Sequence, residues 1–230
     1  MIAICDFRLP EGHKDRLSQF YNVIEFSAKG MVEKPLEGHP DIFICQNEKH
    51  LIIAPNISSN FLNQLKTNKI EFNFGENEVG FSYPEVARYN NIITQNFILC
   101  NSKTCDTMFL EMTDYQRVIS VKQSFCRCSS FALTDDFIIT SDAGVYKKLQ
   151  SEEIESVLFS CEDIVLEGYK NGLLGGCLGL DKNNGRLVVA GSLERYSEGE
   201  KLKKLISSHN LEILELGDSP LIDVGGIFVL

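Results

Sequence analysis

DVGGIFVL (Asp223–Leu230) is the stretch on which the fold turns. Its last six residues, 225–230, read as an apolar β-strand, yet no turn, cap or polar tail follows Leu230. Chain ends are ordinarily solvated and frayed. A bare strand here predicts a partner elsewhere in the chain, so the search for that partner runs outward from it.

The clearest guide is CSSFALTDDFIITSDAGVYKKLQSEEIESVLFS (residues 128–160). Phe131–Leu133 is a short apolar run, and Thr134-Asp135-Asp136 supplies turn residues. Phe137–Thr140 is β-branched and strand-like. Ser141 and Asp142 cap a helix over about 143–152. Val157–Phe159 is a third strand. The unit is strand, turn, strand, helix, strand.

The same order recurs at residues 41–74, 90–122 and 175–216. In the first, DIFIC, the turn QNEKH (46–50), LIIAP, a helix in NISSNFLNQLKTN and IEFNF follow in order. In the second come NNIIT, the turn Gln95-Asn96, FILCN, a helix within residues 102–115 and RVISVK. In the last come GGCLGL, DKNNGR, LVVAG, EGEKLKKLISSH and LEILEL. The helix segment EGEKLKKLISSH is amphipathic, with Leu202, Leu205 and Ile206 predicted inward. Residues 1–27 repeat the unit without its first strand, and residues 225–230 are a first strand without its unit. Together they make a fifth unit split across the termini. Repeats joined in this way form a ring, as in propellers. The prediction is that Ile227–Leu230 pairs with the N-terminal unit.

Composition sets the outer bounds. The chain has 230 residues, 43% hydrophobic and 23% charged, with a net charge of -10. That is an ordinary globular balance and is enough for a substantial core in one domain, 1–230. The acidic surface disfavours nucleic acid and anionic membranes as partners. No window reaches the roughly 18 apolar residues of a membrane span, and the N-terminal segment lacks a basic n-region. A cytoplasmic location and eight reduced cysteines (Cys5, Cys45, Cys100, Cys105, Cys126, Cys128, Cys161 and Cys177) are expected. Asn56-Ile57-Ser58 reads as the polar start of a helix rather than a glycosylation site.

The unit order, with the segments RCSSFALTDDFIITSDAGV (127–145), LLGGCLGL (173–180) and DVGGIFVL, resembles the pentein fold. This is the α/β-propeller of the guanidino-group-modifying enzymes, in which five strand-strand-helix-strand units close a pseudo-fivefold ring. The resemblance covers nearly the whole chain and looks closest to an uncharacterised small family of that fold. It implies a central channel bearing a Cys nucleophile after the C-terminal Gly-Gly, a His-x-Asp, a Glu-Gly-Gly-Asp and a further Asp. Paired carboxylates grip a planar guanidinium, a thiolate attacks its central carbon, and His shuttles protons.

The chain departs from that pattern. Val229 or Leu230 stands where the nucleophile is expected, and Leu174-Gly175-Gly176-Cys177 stands where the Glu-Gly-Gly-Asp is. A His-x-Asp exists, His39-Pro40-Asp41, but in the first complete unit. Reading the equivalent position of each unit gives the candidate channel set. His39, Asp41 and Cys126 are the catalytic candidates. Arg88, Asn90, Lys122, Arg127, Cys128, Cys177 and Asp223 are ligand-binding candidates. Strand alternation puts Cys126 and Cys128 on one face, and Arg127 between them is expected to lower their thiol pKa.

Each candidate has a structural reading beside the functional one. His39 can start a strand after a loop, Asp41 can pair with Arg88, and the cysteines can be core residues. No second Cys-x-x-Cys completes a zinc motif, so neither metal nor cofactor is expected. LLGGCLGL lacks the Gly-Lys-Ser/Thr of a phosphate loop. Tyr83-Pro84-Glu85 lies in the longest connection, as a channel-mouth loop or a plain link. A hydrolase or transferase of guanidino-modifying type, with a small polar ligand, is one expectation. A binding scaffold for a protein or ribosome-associated partner is the second, and a pseudoenzyme the third, because one fold hosts many functions.

Overall fold

The computed structural model describes residues 1–46, 51–112 and 117–230. Residues 47–50 of the predicted turn 46–50, and the stretch 113–116, lie outside them. Among the described residues the chain forms a mixed α/β fold of five small, open three-stranded sheets.

Each sheet is one predicted unit. In chain order they are β3 (Ile44–Gln46), β4 (Leu51–Ile53) and β5 (Phe72–Phe74); β6 (Ile92–Ile93), β7 (Phe97–Cys100) and β8 (Arg117–Ser120); β9 (Ser130–Ala132), β10 (Phe137–Thr140) and β11 (Glu155–Leu158); and β12 (Leu178–Asp181), β13 (Arg186–Val189) and β14 (Glu212–Glu215). The fifth joins β15 (Phe228–Val229) to β1 (Ile2–Asp6) and β2 (Asn22–Phe26). In every sheet the first strand pairs antiparallel with the middle one, and the middle pairs parallel with the third. A parallel pair needs a crossover. Helices supply it: α1 (Glu11–Ser18), α2 (Ser59–Thr67), α3 (Thr107–Glu111), α5 (Ala143–Ser151) and α6 (Gly199–Ser208).

Local chemistry sets the helix starts. Ser58 accepts from the Phe61 N–H, Asp106 from Met108 and Asp142 from Val145, each satisfying a backbone donor of a first turn. Asn56 instead clasps Val79 through both ends of its amide, at 2.9 and 3.0 Å. In α6, Leu202 and Ile206 are buried and Leu205 is partly so.

The terminal strand is paired as its sequence demands. Ala3 faces Val229 and Ile4 faces Phe228. The Ile2 N–H donates to Leu230 O at 3.0 Å, and Leu230 N–H returns to Ile2 O at 2.9 Å. The other edge is held as well. Gln46 donates to Val229 O at 2.8 Å, and Ile227 N–H donates to Leu178 O at 3.1 Å. Phe228 enters the apolar cluster of Phe26, Phe43 and Phe61, whereas Ile227 and Val229 enter that of Ala3, Cys5 and Val188. First strands of successive units lie side by side, β3 by β6, β6 by β9, and β12 by β15.

Three segments differ from the sequence reading. Pro40–Ile42 and Gly175–Cys177 form single 3-10 turns ahead of their strands rather than strand starts. Cys126–Ser129 is likewise one helical turn, α4, so Cys126 and Cys128 do not alternate along a strand face. The reason is tertiary. Asn90 O accepts from Cys126 N, and Asn90 Oδ1 accepts from the backbone N–H groups of Arg127 and Cys128 at 2.8 and 3.0 Å. A buried partner for those donors outweighs the local strand pattern.

Candidate functional site

The turn that precedes each first strand is where chemistry-bearing side chains collect. His39 and Asp41 come from the turn before β3, Asn90 from that before β6, Cys128 from α4, and Asp223 from the segment before β15. All five are buried.

Their geometry is close. The Cys128 thiol donates to Asp41 Oδ2 at 2.7 Å. His39 Nδ1 lies 3.9 Å from Asp223 Oδ1. One ligating atom each of His39, Cys128 and Asp223 fall within 4.8 Å of one another. Asn90 ties the group together, its Nδ2 donating to Cys128 Sγ at 3.2 Å and to Asp41 O at 3.4 Å. Asp223 is oriented by the backbone N–H groups of Leu173 at 2.9 Å and Gly225 at 3.1 Å.

Two glycines let these turns converge. A Cβ on Gly225 would lie 2.4 Å from His39 Cβ, and one on Gly176 would lie 1.8 Å from Asp223 Oδ1. Gly225 also has φ of +66°, a conformation that side chains disfavour.

Burial dominates the electrostatics. It pushes the Asp41 carboxyl up to about 6, against the lowering effects of His39 and the Cys128 hydrogen bond. It raises Asp223 as well. The Cys128 thiol is pushed well up by burial and by the adjacent Asp41 and Asp223. Cys126 is pushed up by burial too. This corrects the expectation that Arg127 lowers both thiols, because desolvating a thiolate outweighs a cation that is itself hydrogen-bonded elsewhere. Both nitrogens of His39, and Asp41 Oδ1, are buried without a hydrogen-bond partner. Such orphans are uncommon in folded proteins.

Arg127 is partly buried and spans from this group to an open cavity of ≈ 700 Å³. Residues of all five first strands line the cavity, among them Gln46, Ile92, Phe131, Leu180 and Phe228. The Arg127 guanidinium donates to Gly175 O at 2.6 Å and Leu178 O at 2.8 Å. It sits over the rings of Phe131 and Phe228, at 4.7 and 5.6 Å from their centroids. Nothing in the sequence singled out those two rings, since each reads as an ordinary strand residue.

Other sequence candidates fall elsewhere. Cys126 donates its thiol to Gln123 O at 3.1 Å and packs with Ile92, Phe97 and Val145. Cys177 donates to Leu173 O at 3.5 Å inside an apolar cluster. Arg88 donates to the Glu78 carbonyl, and Lys122 is exposed. The structure therefore brings together His39, Asp41, Asn90, Cys128 and Asp223, with Arg127 beside them. All eight cysteines are free thiols. Among the described residues no helix is long and apolar enough to cross a membrane.

Comparison with known proteins agrees with the architecture. DDAH from Pseudomonas aeruginosa, in a cysteine-to-serine mutant complexed with citrulline, is 10% identical with a TM-score of 0.51, covering 93% of this chain and 91% of that one. An amidinotransferase from Microseira wollei, of the saxitoxin biosynthetic pathway, is 10% identical with a TM-score of 0.54, over 93% and 87%. A dimethylarginine dimethylaminohydrolase adduct with 4-chloro-2-hydroxymethylpyridine is 12% identical with a TM-score of 0.50, over 93% and 90%. At such identities the likeness speaks to fold alone, and the fold is that of the penteins. No curated protein matches the chain. The family of unknown function DUF6873 matches residues 4–228, and the chain belongs to that family.

Proposed function

We propose that the protein is a pentein enzyme acting on a small guanidino- or amidino-bearing molecule, with its nucleophile moved to Cys128. The carrying observation is the buried group of one thiol, one imidazole and two carboxylates, with orphaned polar atoms on His39 and Asp41. Those are the three group types that guanidino chemistry needs, drawn from positions different from the family's.

On this reading Asp41 and Asp223 hold the planar cation. Cys128 gives its proton to His39, and its sulfur attacks the central carbon. A C–S bond forms while a C=N electron pair moves onto nitrogen. The C–N bond to the leaving amine then breaks, and His39 supplies that amine's proton. Water, in a hydrolase, or an acceptor amine, in a transferase, attacks the same carbon, gives its proton to the now neutral His39 and releases the thiolate. Asn90 is a positioning residue. Substrate reaches the group from the ≈ 700 Å³ cavity once the Arg127 side chain leaves the carbonyls of Gly175 and Leu178.

The reading includes a finer view of the architecture, in which the five sheets close into one ring around this axis. Its support is the side-by-side order of first strands, the Gln46 bond to Val229 and the single cavity that all five line.

The test is turnover of a panel of guanidino compounds, followed by release of amine. Activity that disappears in Cys128→Ser and persists in Cys126→Ser supports the reading. Activity unchanged in Cys128→Ser overturns it. The burial of the group favours a second reading, a pseudoenzyme that keeps the fold and binds without turnover. It predicts guanidino ligands that raise Tm in the absence of any product.

A further inference from the structure

We propose that His39, Cys128 and Asp223 form a transition-metal site, suited to Zn²⁺, with Asp41 beside it as the fourth donor. This goes beyond the thiol chemistry, because a metal-bound Cys128 is not a free nucleophile.

Spacing is the first argument. The three donor atoms lie within 4.8 Å of one another. Tetrahedral Zn²⁺ with bonds of about 2.0–2.3 Å holds its ligand atoms roughly 3.3–3.8 Å apart. Donor type is the second argument. One imidazole, one thiolate and carboxylate oxygens suit Zn²⁺ or Co²⁺, whereas Mg²⁺ and Ca²⁺ take sets of oxygens.

The third argument is independent of proximity. Both nitrogens of His39 lack a hydrogen-bond partner, at 1% exposure, and Asp41 Oδ1 lacks one at 0%. A cation bound by one His39 nitrogen and by Asp41 gives a partner to one buried polar atom of each residue. A supporting shell is in place too. Asn90 holds Cys128, and the Leu173 N–H holds Asp223 Oδ2. Metal ligands are typically oriented by such partners. The sequence hid the site because its donors stand 89 residues or more apart, at 39, 128 and 223, with no local motif.

Adding Co²⁺ to the purified, chelator-treated chain tests this. One ion per chain should bind, with tetrahedral visible bands and a thiolate-to-cobalt charge-transfer band. Cys128→Ser should remove the charge-transfer band, and Asp41→Asn should weaken binding by about 10- to 100-fold. Cys161→Ser should change neither. The wild-type chain offers a reading that no variant can spoil, since Zn²⁺ should block alkylation of Cys128 by iodoacetamide. A weak octahedral spectrum, a charge-transfer band that survives in Cys128→Ser, or alkylation indifferent to Zn²⁺ would each overturn the proposal. Metal and guanidino substrate would compete for the same side chains, so turnover is read on the metal-free chain and metal binding on the cobalt spectrum, and failure of one is distinguishable from failure of the other.

Discussion

The Cys128 thiol donates to Asp41 Oδ2 at 2.7 Å across 87 residues of sequence, with both side chains buried. That bond joins the turn before β9 to the turn before β3. It also places the thiol beside a carboxyl that burial holds near pH 6. The chemistry proposed here depends on those turns being held together.

Asn90 does much of the holding, so Asn90→Ala is expected to destabilise the fold. It removes acceptors for the Arg127 and Cys128 N–H groups and a donor to the thiol. Leaving buried donors unmet costs about 1–3 kcal/mol. Urea unfolding of the variant should show a lower midpoint at an unchanged slope. A midpoint equal to the wild type's would mean that the turn holds itself.

Gly225 is expected to tolerate no side chain. Its φ is +66°, and a Cβ would fall 2.4 Å from His39 Cβ. Gly225→Ala should therefore lower Tm and displace His39, whereas Gly12→Ala should not, since its Cβ position is open. Thermal melts of the two variants check this directly.

The terminal strand should be indispensable. Ile227, Phe228 and Val229 are at most 7% exposed. Burial of such side chains stabilises by about 1.5–3 kcal/mol each. Removal of residues 225–230 should leave a chain without cooperative unfolding. Phe228→Ala should cost about 3–5 kcal/mol, measured by urea titration. A shortened chain with a native-like circular dichroism melt would contradict the pairing.

His13 supplies a pH dependence. Burial lowers its pKa, with Asp218 acting in the opposite direction. A His with a depressed native pKa is held neutral by the fold. Its contribution is full above the ordinary value of about 6.5 and is lost as pH falls below it. The stability difference between wild type and His13→Gln should therefore shrink between pH 7.5 and pH 5.5. Ser219 Oγ, 3.4 Å from Nε2, is its near polar neighbour. A difference independent of pH would show that His13 does not titrate with folding.

The fold was legible because each unit repeats one order of periodicities and turn residues, and because an apolar strand without a partner demanded one. Strand and helix positions from 131 to 159 needed little more than β-branched runs and the Asp142 cap. The site was legible only in outline. His39, Asp41, Cys128 and Asp223 were all named from the equivalent positions of the units. Their roles were not, since Cys126 and Cys128 look alike one residue apart from Arg127. The distinction rests on Asn90, whose side chain folds that segment into a helical turn and sends one thiol to Asp41 and the other to Gln123 O. A partner 36 to 38 residues away leaves no trace in local pattern. The Gly-Gly pairs were ambiguous between ligand approach and strand crowding. Close approach of His39 and Asp223 to those glycines gives them a definite role.

The account rests most directly on Cys128 being a thiol that meets a planar cation between carboxylates. Labelling of the metal-free chain with a haloacetamidine, against a neutral haloacetamide of the same size, reads that claim by peptide mass spectrometry. The account predicts that Cys128 takes the amidine reagent in preference to the neutral one, and that Asp41→Asn and Asp223→Asn abolish the preference. Labelling confined to the less buried Cys105 and Cys161, or equal rates for both reagents at Cys128, would contradict it.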